Sequence, residues 1–507
     1  MISALILLPI VAGLLAFGLQ PAGPRRALFL ATAAGHAVLT ALAWVHRPAS
    51  ILDGWLSLDA LGQLFLSITS ALFLVVAIYA LGYFRREDWG RRQDFQEGSL
   101  FINARERTFT CCLLLFLGMM TLVTVSQHFG LLWVAVEATT LASAPLIYFH
   151  RHRRSLEATW KYIMICSVGI ALALLGNFFL AVAATLGEHE NVPMLLSSLT
   201  DRAALLHVPW LKAAFLFLLV GYGTKMGLAP LHTWLPDAHS ESPSVISALL
   251  SGALLNCAFL AILRGQQVCV AAGLGPFGQK LLVGLGLFSM LVAAAFMVGQ
   301  ADFKRLLAYS SVEHMGILSL AVGLGAGGAF GAMLHAVNHS LTKGMLFLVA
   351  GNILALYRSK STFEVRGVVR SLPVSGVLWV AGFLAITGSP PFGPFLSELA
   401  ILKAALDQGQ VVLAALYLLT LSAIFVGMAT VVLRMAQGEP AGLPAGYVAG
   451  IAGASEGGGA LHLFLGELPL AIMPPLALGA AVLMLGVYIP PPLQRLLEQA
   501  AKVVGAG

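Results

Sequence analysis

The stretch Gly223–Ser244, GTKMGLAPLHTWLPDAHSESPS, places Lys225, Pro230, His232, Asp237, His239 and Glu241 inside what otherwise scans as one long apolar helix. A charged side chain at the centre of a bilayer costs at least about 2.5 to 3.5 kcal/mol, so an ionisable residue kept there is a functional candidate. Proline removes a backbone donor and clashes one turn back, so this span cannot be a straight helix. Irregular backbone at membrane depth persists only where protein or a water-filled cavity satisfies its polar groups. The stretch therefore reads as a broken helix beside a path for something polar.

Its surroundings are apolar throughout. Of 507 residues, 59% are hydrophobic and 10% charged, against roughly 25% charged in a soluble domain. Runs of about 20 apolar residues follow one another. They predict an all-α polytopic membrane protein, a single membrane domain over residues 1–507 with about 14 transmembrane helices. The spans are expected near 2–19, 27–45, 58–84, 109–127, 130–149, 160–185, 211–239, 243–264, 277–299, 303–325, 330–356, 374–406, 410–435 and 467–489. Gln437–Gly459 reads as a Gly/Pro-rich loop, and the tail after Pro490 as a short surface helix. The first segment lacks a basic leader and a small-residue cleavage site, so it reads as a retained helix.

The net charge of +6 is carried by Lys and Arg in loops, which encodes topology rather than a nucleic-acid surface. Loops after odd-numbered spans hold 18 of these residues and the other side seven. That predicts a multi-pass protein of a bacterial or archaeal inner membrane with both termini outside. The five cysteines lack the CxxC spacing of metal or iron–sulfur ligation, so no cofactor or metal is expected on this chain.

A second span is broken at TGSPPFGPF, with Glu398 four residues after Pro394. The two breaks lie five spans apart, so the chain crosses them in opposite directions. Such a pattern marks inverted repeats around a transport path, expected here over 109–264 and 277–435, each with five helices and one broken helix.

Titratable groups gather around these breaks. Glu137, mid-span in LLWVAVEATTLASAPLIYF, is expected to pair with Lys225. At about 6 Å and an effective dielectric of about 20 the attraction is roughly 3 kcal/mol. His335, His339 and Lys343 in the eleventh span recur at i, i+4 and i+8 and so share one face. Imidazoles exchange protons near neutral pH, and a file of them leading to a lysine suits a relay. Glu398 reads as its end, with Lys403 a candidate partner. His232, Asp237, His239, Asn256, Glu313 and His314 are candidate channel-lining residues.

The segments GTKMGLAPLHTWLPDAHSESPSVISALLSGALLNCAFLAILR, DFKRLLAYSSVEHMGILSLAVGLG, HAVNHSLTKGMLFLVAGN and GSPPFGPFLSELAILKAAL resemble the antiporter-like membrane subunits of complex I, of multisubunit cation/proton antiporters and of group 4 hydrogenases. VEATTLASA and SLEATWKYIMICSVG are wordings typical of component F of hydrogenase 4. The resemblance implies a subunit that moves protons between two half-channels. Its partners would be other membrane subunits and a peripheral redox module carrying iron–sulfur clusters and a nickel–iron centre. By motif, Glu137 matches the family's fifth-helix carboxylate, Lys225 the seventh-helix lysine, His335 and His339 the eleventh-helix histidines, and Glu398 the twelfth-helix end. Where many relatives carry a lysine or histidine in the eighth span, this chain offers Ser251 and Asn256. Exchange of Na+ for H+, or a transport-inactive scaffold, remain alternative readings.

Overall fold

Why the spans start and stop where they do follows from local capping. Asp302 accepts from the amides of Lys304 and Arg305, His152 from that of Ser155, and Asp59 from that of Gly62. Each satisfies donors that a helix start leaves free. A computed structural model describes residues 1–87, 90–94, 97–186, 192–440, 467 and 469–505.

The helices are α1 (Ile2–Gly18), α2 (Ala22–Val45), α3 (Ala60–Arg86), α4 (Glu106–Val125), α5 (Phe129–Ile147) and α6 (Arg153–Thr185). Then follow α7 (Val208–Met226), α8 (Trp234–Glu241), α9 (Ser244–Ala271), α10 (Gly275–Met297), α11 (Phe303–Gly323) and α12 (Ala326–Tyr357). The last are α13 (Pro373–Ile386), α14 (Gly393–Asp407), α15 (Val411–Ala436), α16 (Pro469–Val487) and α17 (Pro491–Gly505). Counting α7 with α8, and α13 with α14, as one broken span each, α1 to α16 give the 14 expected crossings.

Two details depart from expectation. The sixth helix begins at Arg153 rather than near 160, and the polar loop before α4 forms a hairpin pairing β1 (Arg91–Gln93) with β2 (Leu100–Ile102). The loop expected at 437–459 lies, beyond Pro440, outside the described residues. The surface helix after Pro490 is present as α17, with Leu496, Leu497, Ala500, Ala501 and Val504 buried along one face. Arg47 donates to Gln499 at 3.3 Å, which holds α17 at the end of the bundle where α3 begins.

A polar spanning helix lies at the centre. The apolar stretch of α11 is wholly buried, whereas that of the more apolar α15 is one-third buried. Lipid replaces water outside, so polar groups must find partners within the protein. Helices α9, α11 and α12 form that interior. Close packing of α6 on α7 relies on Gly221, where a Cβ would sit 2.6 Å from the Gly169 carbonyl oxygen; small residues at such crossings let backbones approach. At one end Arg264, almost fully buried on α9, grips Asp59 with two bonds of 2.6 Å and ties the centre to α3.

Candidate functional site

Both predicted breaks are present. Helix α7 ends at Gly227, whose φ of +88° is left-handed, and residues 228–233 form turns before α8. Helix α13 ends at Thr387, and Gly388 (φ +66°) turns the chain so closely that a Cβ there would collide with the Glu398 carboxylate. Each turn therefore needs glycine, and each sets a titratable group beside it.

At the first break Lys225 is fully buried. Its ammonium donates to Thr140 Oγ1 and to Tyr162 OH, both at 2.7 Å, and lies 4.6 Å from the Tyr162 ring centre. The Tyr162 hydroxyl also meets Ser143 Oγ at 2.6 Å. Glu137 accepts from the hydroxyls of Thr140 (3.3 Å) and Ser167 (3.2 Å). Two expectations need correction here. Glu137 is half-exposed on the side of α5, not buried, because it shares a helix face with its i−3 and i+4 neighbours Val134 and Leu141, both exposed. It forms no direct ion pair with Lys225: Thr140 stands between them, so Coulomb attraction gives way to a hydroxyl bridge.

At the second break the groups converge without such a bridge. His314 Nδ1 and His335 Nε2 are 2.8 Å apart, and His335 Nδ1 is 2.9 Å from Ser397 Oγ. Ligating atoms of His314, His335 and Glu398 all lie within 4.8 Å of one another. His339 stands beside them, its ring centre 5.2 Å from that of His314. Both His339 nitrogens, His314 Nε2 and Glu398 Oε1 are buried without a hydrogen-bond partner. Such groups cost free energy unless water or a proton acceptor reaches them. Glu313 lies 3.9 Å from His314. His335 and His339 thus share one face of α12, and α11 sets His314 against both.

Lys343 continues the file towards the centre, donating to the Leu307 carbonyl at 2.6 Å and Ser310 Oγ at 2.5 Å. Next to it Ser251 pairs with Ser311 at 2.8 Å, and Asn256 donates to Ser340 at 2.8 Å. Residues 250–254 widen into a π-type bulge, a feature frequent at functional sites.

The remaining candidates divide. His239 is fully buried and stacks on Phe347 at 5.1 Å with neither nitrogen bonded, and His232 lies buried within the first break. Asp237 is instead held in an outer ion-pair cluster with Lys161 (2.9 Å) and Arg305 (3.1 Å). Lys403 is 72% exposed and pairs with Asp407, one turn on. It does not face Glu398, since five residues along a helix turn a side chain to the far side. The residues that the sequence reading missed are hydroxyl bearers: Thr140, Tyr162, Ser167, Ser310 and Ser397. Their only signal was polarity inside apolar spans.

Residues 126–424 match the family model for the membrane-spanning part of NADH:quinone oxidoreductase and Mrp antiporter subunits. The chain belongs to this family. It is 42% identical over 329 residues to the hydrogenase-4 component F homolog of Methylacidiphilum infernorum, covering 64% of this chain and 68% of that protein. Identity to hydrogenase-4 component B of Escherichia coli is 28%, over 76% of this chain and 56% of that protein. A chain of respiratory complex I from Thermus thermophilus with bound NADH superposes over 100% of both chains, with a TM-score of 0.76 and 25% identity. This antiporter-like subunit thus shares its fold with a subunit of a respiratory complex, as its motifs implied.

Proposed function

We propose that the chain is the proton-translocating membrane subunit of a redox-driven complex related to hydrogenase 4 and complex I. One observation carries this reading: each helix break brings a buried ionisable group against side chains that exchange protons, Lys225 with Tyr162 and Thr140, and Glu398 with His314 and His335. Redox chemistry in partner subunits bearing iron–sulfur clusters, and in a hydrogenase a nickel–iron centre, would change the setting of Glu137. The Thr140 hydroxyl would pass that change to Lys225, and the released proton would move through the Ser251, Ser311 and Lys343 region to the imidazoles and Glu398. Waters would join the two networks, for no side chain spans them directly.

Two further parts of the reading concern architecture. Spans four to eight and nine to thirteen form the inverted repeats; in support, the third span of each is long and similar, 33 residues in α6 and 32 in α12. Both termini face outside, leaving the end rich in Lys and Arg in the cytoplasm.

Sodium exchange is the second reading, favoured by the Mrp antiporter membership of the family. The donor set at the second break argues against it, since hard cations select oxygen ligands and two of the three groups there are imidazoles. The deciding experiment reconstitutes the intact complex in vesicles and follows acidification on adding the redox substrate. Lys225→Gln and Glu398→Gln should each abolish pumping with subunit assembly retained. Undiminished pumping in either variant defeats the proposal, and pumping that requires sodium selects the second reading.

A further inference from the structure

A cavity of 390 Å3 opens at the end of the bundle where α3 finishes and α9 begins. Its lining is unusual in charge: six Lys and Arg residues face it against three Asp and Glu. The three acids are engaged, Glu87 by Arg92, Asp94 by Arg154 at 2.7 Å and Glu241 by Lys360 at 2.9 Å. Arg86, Arg358 and Lys304 have no carboxylate within 4 Å among the described residues.

Lys304 poses the sharpest question, because it is 1% exposed. Its ammonium donates to the carbonyls of Ser240 (3.2 Å) and Ser242 (2.5 Å), which complements the C-terminus of α8 but supplies only partial charges. A buried cation without a full counter-charge is costly. Two residues further on, the N-terminus of the 28-residue helix α9 meets the same cavity at Ser244. The first amides of a helix lack intrahelical partners and favour anions. Ser244 Oγ is buried, lines the cavity and bonds to nothing in the protein. Buried lysine, helix N-terminus and idle hydroxyl share one wall, with Arg86 and Arg358 at the exposed rim.

We propose that this cavity is a binding site for a phosphoryl group, held by Lys304, Ser244 and the α9 N-terminus, with Arg86 and Arg358 closing on it from the rim. The volume suits a phosphate with some of its ester substituent rather than a bare halide. Two sources share this chemistry: the headgroup of an anionic phospholipid and a free phosphate. The site stands on charge and geometry alone and does not depend on the proton-relay reading.

The test measures thermal unfolding of the purified chain in nanodiscs. Three settings are compared: phosphatidylcholine alone, phosphatidylcholine with added inorganic phosphate, and equal parts of phosphatidylcholine and phosphatidylglycerol. The expected result is a rise in Tm of roughly 2 to 4 °C with phosphatidylglycerol, phosphate or both. A rise with phosphatidylglycerol alone assigns the headgroup, and a rise with phosphate assigns the free anion. Arg86→Gln with Arg358→Gln, both at exposed positions, should remove the rise. Arg47→Gln with Arg495→Gln, lining the cavity at the opposite end of α3, should keep it. No rise in any setting, or a rise that survives the Arg86 and Arg358 substitutions, overturns the proposal.

Discussion

The two helix breaks bury different groups, an amine and a carboxyl, and solve that burial in opposite ways. At the first, Lys225 closes the last turn of α7, where the helix dipole welcomes a cation, and the Thr140 hydroxyl connects it to a half-exposed acid. At the second, Glu398 sits in the second turn of α14 among imidazoles that approach it directly. One scaffold thus yields a linear hydroxyl bridge open to the molecular surface and a closed cluster with unsatisfied nitrogens. The difference teaches where control can enter. A neighbouring subunit can reach Glu137, whereas the Glu398 cluster responds only to what arrives along the interior.

The largest effect should come from neutralising either centre. Each substitution deletes a group that takes up and releases a proton, so Lys225→Gln and Glu398→Gln should each slow translocation by roughly 100-fold or more, read as the initial rate of vesicle acidification. A Lys225→Gln variant that pumped normally while Glu398→Gln did not would break the symmetry of the two sites.

Series and cluster should differ when a single hydroxyl is removed. Thr140→Val keeps the shape but deletes the hydroxyl that bonds both Glu137 and Lys225, so a fall of about tenfold is expected. Ser397→Ala removes a hydroxyl that supports His335 from outside the cluster, and the imidazoles retain each other; a loss below about threefold is expected from one neutral hydrogen bond. Equal losses in the same acidification assay would erase the distinction.

Acid should also separate the two halves. Burial alone would raise the Asp59 carboxyl, but the Arg264 guanidinium and the Gly62 amide hold it below its ordinary value. A carboxylate with a depressed folded-state value stabilises the protein above the unfolded-state value and loses that contribution as pH falls through the folded one. Its side chain is 32% exposed, so solvent screening reduces the effect to about 1 kcal/mol. Below about pH 4, amides at the end of α9 near Arg264 should exchange hydrogen faster while those of α12 do not. Asp59→Asn should remove this pH dependence.

Legibility of the sequence followed the physical cause of each feature. Span positions rest on hydrophobic length, and Pro230 and Pro394 beside Lys225 and Glu398 located both breaks before any coordinates. Helical spacing placed His335 and His339 on one face. It could not place His314 against them, because that contact belongs to the crossing of α11 with α12 and no local pattern encodes it. Thr140 was invisible for a similar reason: a hydroxyl in an apolar helix normally bonds its own backbone, as Thr139 does with Val136, and only the position of Lys225 gives Thr140 another use. Glu137 was misjudged because depth along a span says nothing about which side of it faces outward.

Lys403 shows how small the effect of a conspicuous charge can be. It follows Glu398 by five residues, which in a loop would permit an ion pair, and a lysine beside a terminal carboxylate invites a role in proton release. On a helix those five residues rotate it by about 140°, and the structure leaves it 72% exposed beside Asp407. An exposed pair one turn apart contributes about 0.3 to 0.5 kcal/mol, less than the thermal energy available to break it. Lys403→Ala should therefore leave the rate of acidification unchanged and shift stability by no more than about 0.5 kcal/mol. A loss of pumping in that variant would mean that α14 rotates during turnover to bring Lys403 inward. The Glu398 cluster would then be a gate with two positions, and the contrast between an open series and a closed cluster would describe one state of the cycle only.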